Sequence, residues 1–302
     1  MTYHNTPSAQ ALTRTLGGRW HGRYGVAPCP ACQPERRRDQ RGLSLSDGSD
    51  GRLLLRCHKS RCAFPDLLTA LGLAPGAVSA PDPEMARRRE AEARVDAEKR
   101  AAQAERCWHE AQPIAGTLAE RYLRGRAITA ALPETLRFHP ECWHGPTARR
   151  LPAIVARVDG AERFAVHRTY LSPEGGKAAV EPNKMALGGT AGGAVRLRAG
   201  TGGLAVGEGL ETVLSLASGL WCSSGAIWAC LGTSGLSGVT LLPFDPSCGS
   251  GDLLIALDGD DAGRAAAHTL ASRASAEGWR VRMLPAPEGC DWNDVLRREA
   301  GR

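Results

Sequence analysis

The sequence predicts a multidomain α/β protein: a small metal-binding module, a helical linker, a mixed α+β basic segment, and a C-terminal parallel sheet with flanking helices. Two pairs of closely spaced cysteines lie near the N-terminus, and a stretch rich in Ala, Arg and Glu follows them. After residue 200, short apolar runs alternate with helical segments, which is the signature of parallel strands joined by crossover helices. We expect domain boundaries at 15–78, 82–112, 113–200 and 201–302.

Composition and charge narrow the classes of protein to which the chain can belong. Its 302 residues are enough for a sizeable core, and a net charge of +6 with a pI near 8.9 is compatible with a polyanionic partner. The sequence has no N-terminal apolar run and no stretch long enough to span a bilayer, which argues against export and membrane insertion. We therefore expect a cytoplasmic protein whose ten cysteines are reduced.

Two cysteine pairs near the N-terminus predict a zinc-binding module. Two residues separate Cys29 from Cys32, and four separate Cys57 from Cys62. Strand-like pieces between the pairs allow a hairpin that brings both pairs together around a tetrahedral Zn²⁺, which is the geometry of a zinc ribbon. The alternative is chance pairing in a cysteine-rich chain. Because so small a module has little core, the metal should contribute much of its folding energy.

Side chains around these cysteines leave two questions open. The wider spacing of the second pair allows His58 to replace one cysteine as a ligand. Positive charge beside a zinc module suits nucleic-acid phosphate, and a solvated surface is the alternative. The basic residues concerned are Arg36, Arg37, Arg38, Arg41, Lys59 and Arg61.

The segment 84–111 is almost free of Gly and Pro, which predicts one long helix. Glu90 and Arg94 lie one helical turn apart, as do Asp96 and Arg100, and such pairs support a solvated helix. Alanine at the would-be seam positions argues against a coiled coil. We interpret the helix as a spacer between modules.

The next segment combines a predicted helix at 118–123 with a predicted hairpin. The hairpin strands, 151–158 and 164–170, join through Asp159-Gly160, which is a standard turn signal. The segment therefore adds strands of its own before the C-terminal sheet begins.

Basic side chains of this segment form a candidate phosphate-binding surface. His167 and Arg168 are neighbours on the second strand and should face opposite sides of it. The loop that follows carries Lys177, Lys184 and several glycines, which permit close approach to phosphates. A plain surface loop is the alternative, and the spacing is not that of a Walker A loop.

Carboxylates follow the predicted strands of the C-terminal segment. The apolar run 253–257 stops on Asp258, Asp260 and Asp261, and Glu208 follows an earlier strand. Because the carboxyl ends of parallel strands meet at one edge of a sheet, these acids should converge. Hard oxygen ligands at this density suit Mg²⁺ or Mn²⁺, completed by substrate phosphates.

Capping of a helix is the alternative use for an acid at a helix start, but it explains one acid and not three. We therefore assign Asp258 and Asp260 as metal ligands and Asp261 as the helix cap. Further acids that can join the site as secondary members are Glu211, Asp291 and Asp294.

The acidic motifs carry a resemblance to a known family. Gly207-Glu208-Gly209 after one strand and the run Asp-Gly-Asp-Asp-Ala-Gly-Arg from Asp258 after a later one resemble the Toprim domain of bacterial-type primases, topoisomerases and some nucleases. With the zinc ribbon upstream, the segment from His167 to Leu197, and Asp291-Trp-Asn-Asp downstream, the chain is similar to primases of phages, plasmids and integrative elements. The resemblance covers nearly the whole chain except the 84–111 helix.

The resemblance implies roles for individual residues. It makes Glu208, Asp258 and Asp260 the catalytic metal triad. The basic face that grips template and nucleotide would comprise Arg168, Lys177, Lys184, Arg196 and Arg198. Two departures stand out: the second cysteine pair is widened, and no helicase domain follows residue 302, so unwinding would need a separate replicative helicase.

The function we expect is a DNA primase that makes short RNA primers from NTPs on a single-stranded DNA template. The enzymatic alternative is a Toprim-type nuclease or strand-passing enzyme, which would require an ATPase or a domain with a nucleophilic tyrosine, and neither is visible. The non-enzymatic alternative is a nucleic-acid-binding replication accessory whose acidic cluster is structural. The intact carboxylates argue against it, because a dead site need not tolerate their repulsion.

Overall fold

The computed structural model describes residues 7–35, 37, 40–48, 52–73, 83–201, 203–241 and 251–301. The chain separates into two compact units, Met1–Asp96 and Ala97–Arg302. Arg36 and Arg38 of the basic group lie outside the described residues. The finer division into four domains stays a prediction.

The first unit is built on a four-stranded antiparallel sheet whose strands follow their order in the chain. The predicted hairpin is present, since Leu43 pairs with Cys57 and Asp47 pairs with Leu53. Leu43 and Leu45 alternate onto the buried face and pack in one small core with Leu12. The elements are α1 (Ala9–Thr15), β1 (Arg19–Trp20), β2 (Gly25–Ala27), β3 (Leu43–Asp47), β4 (Leu53–Cys57) and α2 (Phe64–Ala70).

The second unit begins with a five-stranded antiparallel sheet in the order β5-β6-β7-β8-β9. The predicted hairpin is again present, and three further strands, β5, β6 and β9, were not predicted. A register shift between His139 and Cys142 admits Pro140 into β6 and obscures the alternating pattern. The elements are β5 (Gln112–Pro113), α4 (Leu118–Gly125), β6 (Leu136–His144), β7 (Arg149–Val158), β8 (Ala165–Tyr170) and β9 (Lys184–Leu187).

The predicted long helix is present as α3 (Pro83–Glu110). The expectation of a solvated spacer is wrong for its last turns, because Ala104, Cys107 and Trp108 are buried in one cluster with residues of β7 and β8. The Arg137 guanidinium also lies 4.2 Å from the centre of a Trp108 ring. No helix in the described ranges combines the length and apolar character that a membrane crossing requires.

The C-terminal sheet has the order β10-β12-β11-β13-β14. Its last four strands are parallel, as predicted, whereas β10 pairs antiparallel with β12 and was not predicted as a strand. The elements are β10 (Val195–Arg198), β11 (Leu204–Gly207), α5 (Leu210–Ser215) with a wider turn at Leu216–Leu220, β12 (Ala226–Ala229), α6 (Thr233–Gly238), β13 (Asp252–Leu257), α7 (Asp261–Ala276), β14 (Arg280–Pro285) and α8 (Trp292–Ala300).

The order of these strands decides where the acids meet. β11 lies between β12 and β13, and Gly207 is in register with Ala256. Glu208 and Asp258 therefore leave adjacent strand ends. One hydrophobic core includes Ile154 of the antiparallel sheet and Leu254 of the parallel sheet, so the two sheets of this unit pack on shared apolar side chains.

Asn293 connects α8 to the rest of this unit through hydrogen bonds of its side chain. Its side chain is fully buried, and its Nδ2 donates to the Arg126 carbonyl at 2.9 Å and to Ser215 Oγ at 3.0 Å. Asn293→Ala should lower the free energy of unfolding by about 2 kcal/mol, because both acceptors lose a buried donor. Urea denaturation measures the loss. Arg298→Ala, on the exposed face of the same helix, is the matched control, and equal stabilities of the two variants would contradict this role.

Candidate functional site

Four cysteine sulfurs of the first unit form a candidate metal site. All four Sγ atoms lie within 4.8 Å of one another, and no other set of three or more potential ligands in the described ranges does so. Cys29 Sγ is 4.0 Å from Cys62 Sγ, and Cys32 Sγ is 3.6 Å from Cys57 Sγ. A tetrahedral zinc with Zn–S bonds of about 2.3 Å would space its sulfurs about 3.8 Å apart. The cluster therefore fits zinc, as predicted.

Local hydrogen bonds hold the two cysteine turns in place. The buried Gln33 accepts from the Cys29 and Gly42 amides through Oε1, each at 3.0 Å. A Cβ on Gly42 would lie 2.1 Å from that oxygen, so a larger residue here would displace Gln33 from both hydrogen bonds. The Ser60 amide donates to Cys57 Sγ at 3.4 Å, an interaction that favours a thiolate ligand.

The structure answers the question about the second pair. His58 is exposed, its Nε2 lies 2.9 Å from Ser44 Oγ, and it is not in the cluster. Arg61 takes a positive φ of 50° in the turn between Cys57 and Cys62. Lys59 and Arg61 are exposed beside the cysteines, where a polyanion could reach them.

We expect purified protein to contain about one zinc per chain, as a single four-thiolate site requires. Cys29→Ser should lose this metal and lower the stability of the first unit, because the bound metal contributes folding free energy that the small core does not supply. Metal analysis and thermal unfolding measure the two effects. Cys222→Ser, at an exposed cysteine outside the cluster, is the control. Retention of zinc by Cys29→Ser would contradict the assignment.

The second candidate site is a cleft of about 290 Å³ in the second unit. Glu208, Asp258 and Asp291 contribute carboxylates to its lining, and Lys177 and Lys184 contribute ammonium groups. The structure thus brings together acids from three helix starts of the parallel sheet and lysines from the predicted basic loop. That loop contains a short strand, β9, which carries Lys184.

Glycines explain how the acids approach one another. A Cβ on Gly263 would lie 3.1 Å from Asp260 Oδ1 and 3.7 Å from Glu208 Oε2, so this glycine leaves room for both carboxylates. A Cβ on Gly259 would lie 2.8 Å from the Pro287 carbonyl. Close backbone packing therefore requires glycine at position 259, whereas a Cβ at position 263 would crowd the Asp260 carboxylate.

Burial and mutual repulsion raise the pKa values of two of these acids. Burial, followed by the charges of Asp258 and Asp260, raises the pKa of Glu208 above its ordinary value. Burial and the charge of Asp291 raise the pKa of Asp258, while a hydrogen bond from Thr212 Oγ1, at 3.2 Å, opposes the rise. Hard, mutually repelling oxygens are the donor set that a divalent cation relieves. These residues fit Mg²⁺ or Mn²⁺.

The helix caps differ from the prediction. Asp260, not Asp261, caps α7, because Asp260 Oδ1 accepts from the Gly263 amide at 2.7 Å while Asp261 is exposed beside Arg264. Asp260 has one oxygen left over for a ligand. Asp291 and Asp294 form a reciprocal capping box at the start of α8.

Glu211 has the opposite environment from the other acids. Lys184 Nζ lies 2.8 Å from its Oε2, Lys177 Nζ lies 3.2 Å from its Oε1, and the Tyr122 hydroxyl donates to the same Oε1. Burial would raise the pKa of Glu211, but the two ammonium groups overcome it and lower the pKa to about 2. Glu211 is therefore the counter-ion of the lysines.

Three arginines of the predicted basic face lie elsewhere, and none is among the described residues that line the cleft. Arg168 is buried and donates to the carbonyls of Trp143 and Ala186 at 3.1 and 3.2 Å. Arg196 and Arg198 lie on β10. The Arg198 guanidinium donates to the backbone of 223–225, and Arg196 lies 4.9 Å from a Trp228 ring centre.

Sequence reasoning assigned no role to several residues of the cleft. His167 lines it and is buried, and none of the described residues hydrogen-bonds to its Nδ1. Burial and the nearby Lys184 lower the pKa of His167 to about 4, so the imidazole is neutral at physiological pH. Thr169 also lines the cleft. The alternation along β8 could have indicated both residues, because they lie on the face opposite Arg168.

Asp258→Asn should raise the thermal unfolding midpoint in EDTA at pH 7. The folded state raises the pKa of Asp258, so it binds a proton more tightly than the unfolded chain, and stability falls as pH rises through that pKa. The amide removes this cost and can still accept from Thr212. Mg²⁺ should stabilise the wild type and not the variant. An unchanged midpoint, equal to that of Asp261→Asn at the exposed neighbour, would contradict the repulsion.

Comparison with family models supports the predicted C-terminal domain. Residues 203–301 match the model of the Toprim domain, which confirms the resemblance in the acidic motifs. Residues 98–197 match a domain of unknown function (DUF7146). No curated protein matches the chain.

Several solved structures are similar to this chain at low identity. A DNA primase domain from Pseudomonas aeruginosa is 20% identical, with a TM-score of 0.40 over 67% of this chain and 74% of that chain. The Aquifex aeolicus primase, comprising zinc-binding and RNA polymerase domains, is 13% identical, with a TM-score of 0.42 over 98% and 81%. The primase fragment of the bacteriophage T7 primase-helicase is 16% identical, with a TM-score of 0.31 over 91% and 97%. Likeness at this level does not identify a function.

Proposed function

We propose, from the Toprim domain that residues 203–301 form, that the chain is a DNA primase. It would synthesise short RNA primers on single-stranded DNA by metal-dependent nucleotidyl transfer. The resemblance of its motifs to primases of mobile elements suggests a phage, plasmid or integrated element as its setting. The activity would take place in the cytoplasm beside a separate replicative helicase.

The observation that carries this proposal is the mixed charge of the cleft. Glu208 and Asp258 line the same cavity as Lys177 and Lys184. Carboxylates of this kind attract divalent cations, and ammonium groups attract phosphate oxygens. A nucleoside triphosphate with its metal ions carries both complementary charges.

Nucleotidyl transfer would depend mainly on positioning of the reactants and electrostatic stabilisation by the protein. Glu208, Asp258 and Asp260 would hold Mg²⁺ or Mn²⁺, which when bound neutralises charge on the reacting phosphates. Lys177 and Lys184 supply fixed positive charge for the triphosphate. Holding the primer 3′-hydroxyl in line with the α-phosphate would supply the remaining acceleration.

The zinc-binding unit would engage the single-stranded template. Its exposed cationic side chains, Arg41, Lys59 and Arg61, suit the phosphate backbone, which supplies most of the sequence-independent affinity in such complexes. This assignment separates template binding from the carboxylates of the second unit, and so predicts that the two can be inactivated independently.

Primer synthesis on single-stranded DNA with labelled NTPs and Mg²⁺ tests the function. Wild type should make short oligoribonucleotides. Asp258→Ala should reduce synthesis about a thousandfold, since it removes a ligand of the metal ions that would stabilise charge in the transition state, and should leave DNA binding intact. Asp261→Asn, three residues away and exposed, is the control and should retain synthesis.

Two outcomes would overturn the proposal. A wild type that makes no oligoribonucleotides but cuts the template in the presence of Mg²⁺ is a nuclease. A wild type that binds DNA without either reaction is a replication accessory. An active Asp258→Ala variant would remove Asp258 from the metal site.

A further inference from the structure

Glu211 is an acid of the cleft whose partners are cationic and hydroxyl groups of the chain itself. Its carboxylate is buried, with 6% of the residue surface exposed. Lys184 and Lys177 each approach one of its oxygens, Tyr122 donates to Oε1, and Arg126 Nε lies 3.9 Å from Oε1. Both oxygens are thus committed to donors within the chain.

This surrounding positive charge excludes a role as a metal ligand. A divalent cation at Glu211 would have to displace Lys177 and Lys184, whose ammonium groups would repel it. A buried carboxylate left without partners is strongly destabilising, so the ion pairs stabilise the folded unit. Glu211 therefore acts on the lysines and not on the cation.

The pairs restrict two side chains that are otherwise mobile. Lysine carries its charge on a flexible four-carbon stem, and the side chains of Lys177 and Lys184 are 33% and 37% exposed. Because each ammonium meets a different oxygen of one carboxylate, both are held together in the cavity that Glu208 and Asp258 also line. Two fixed cations beside a metal-binding edge match adjacent phosphate groups.

We propose that Glu211 is a positioning residue that holds Lys177 and Lys184 in the cleft, where both bind the phosphates of a nucleoside triphosphate. The identity of the ligand rests on the proposed function, whereas the ion pairs do not. Glu211 sets the position of both cations without touching the nucleotide.

Chemical labelling tests whether Glu211 holds the lysines. Glu211→Gln removes the negative charge with little change in shape. A water-soluble amine-reactive ester, followed by mass spectrometry, should label Lys177 and Lys184 about tenfold faster in this variant, relative to the exposed Lys99, because the paired amines lose their charge-assisted bonds. Glu211→Asp keeps the charge and should stay within about threefold of wild type.

Kinetics tests whether the held lysines bind nucleotide. In primer synthesis, Glu211→Gln should raise the KM for NTPs about tenfold and change kcat by less than about threefold, because the lysines would bind the triphosphate about equally in the ground state and the transition state. Glu120→Gln makes the same charge change at an acid that pairs with Arg124. This control should leave KM and lysine labelling unchanged.

Each outcome decides the inference. Unchanged labelling in Glu211→Gln, or faster labelling with an unchanged KM, overturns it. A matching rise in KM for Glu120→Gln also overturns it, because the effect would then be one of net charge. If Glu211→Gln does not fold, the wild type decides instead: its paired Lys177 and Lys184 should react about tenfold more slowly than the exposed Lys99, and equal rates overturn the inference.

A wild type without primer synthesis would end the proposed function but not this test. Inorganic tripolyphosphate would then be the probe. It should protect Lys177 and Lys184 from labelling in wild type, and about tenfold less well in Glu211→Gln. Equal protection in both proteins would overturn the inference.

Discussion

The parallel pairing of β11 with β13 is the constraint on which the cleft depends. With Gly207 in register with Ala256, Glu208 and Asp258 emerge side by side at a poorly solvated sheet edge. Burial and then the resulting repulsion raise the pKa values of both carboxyls, and metal ions relieve such repulsion. The other charged groups of the cleft, Lys177 and Lys184, depend on a different carboxylate. Glu211 pairs with both lysines and so fixes their positions.

The acids of the cleft lie in two opposite electrostatic environments. Asp258 and Glu208 face other carboxylates, and a cation from solution would relieve the repulsion between their ionised forms. Glu211 faces lysines of the chain itself, and its pKa is correspondingly low, at about 2. Its contribution to stability is present above the ordinary glutamate pKa and is lost as the pH falls through the lowered value. The cleft thus contains two kinds of acidic site. Glu208 and Asp258 would bind a divalent cation from solution, whereas Glu211 is already paired with two lysines.

Short-range patterns were enough to predict much of the fold. The hairpin of β7 and β8 follows from Asp159-Gly160 between alternating strands, and the parallel strands follow from apolar runs that end at turns. The edge strand β10 was missed because its pairing partner, β12, lies about thirty residues further along the chain. The antiparallel direction of β10 relative to β12 is likewise not indicated by any local sequence signal.

The sequence by itself determined the chemical inventory: four cysteines with ligand spacing, and acids directly after strands. Both follow from neighbours along the chain, and the structure gathers the sulfurs as predicted. Only the tertiary structure decided which charges face each other. Glu211 and Tyr122 are 89 positions apart, and Arg168 is buried under carbonyls of other strands. Such contacts depend on how sheets pack, so an acid beside an acid and an acid between lysines look alike in the sequence.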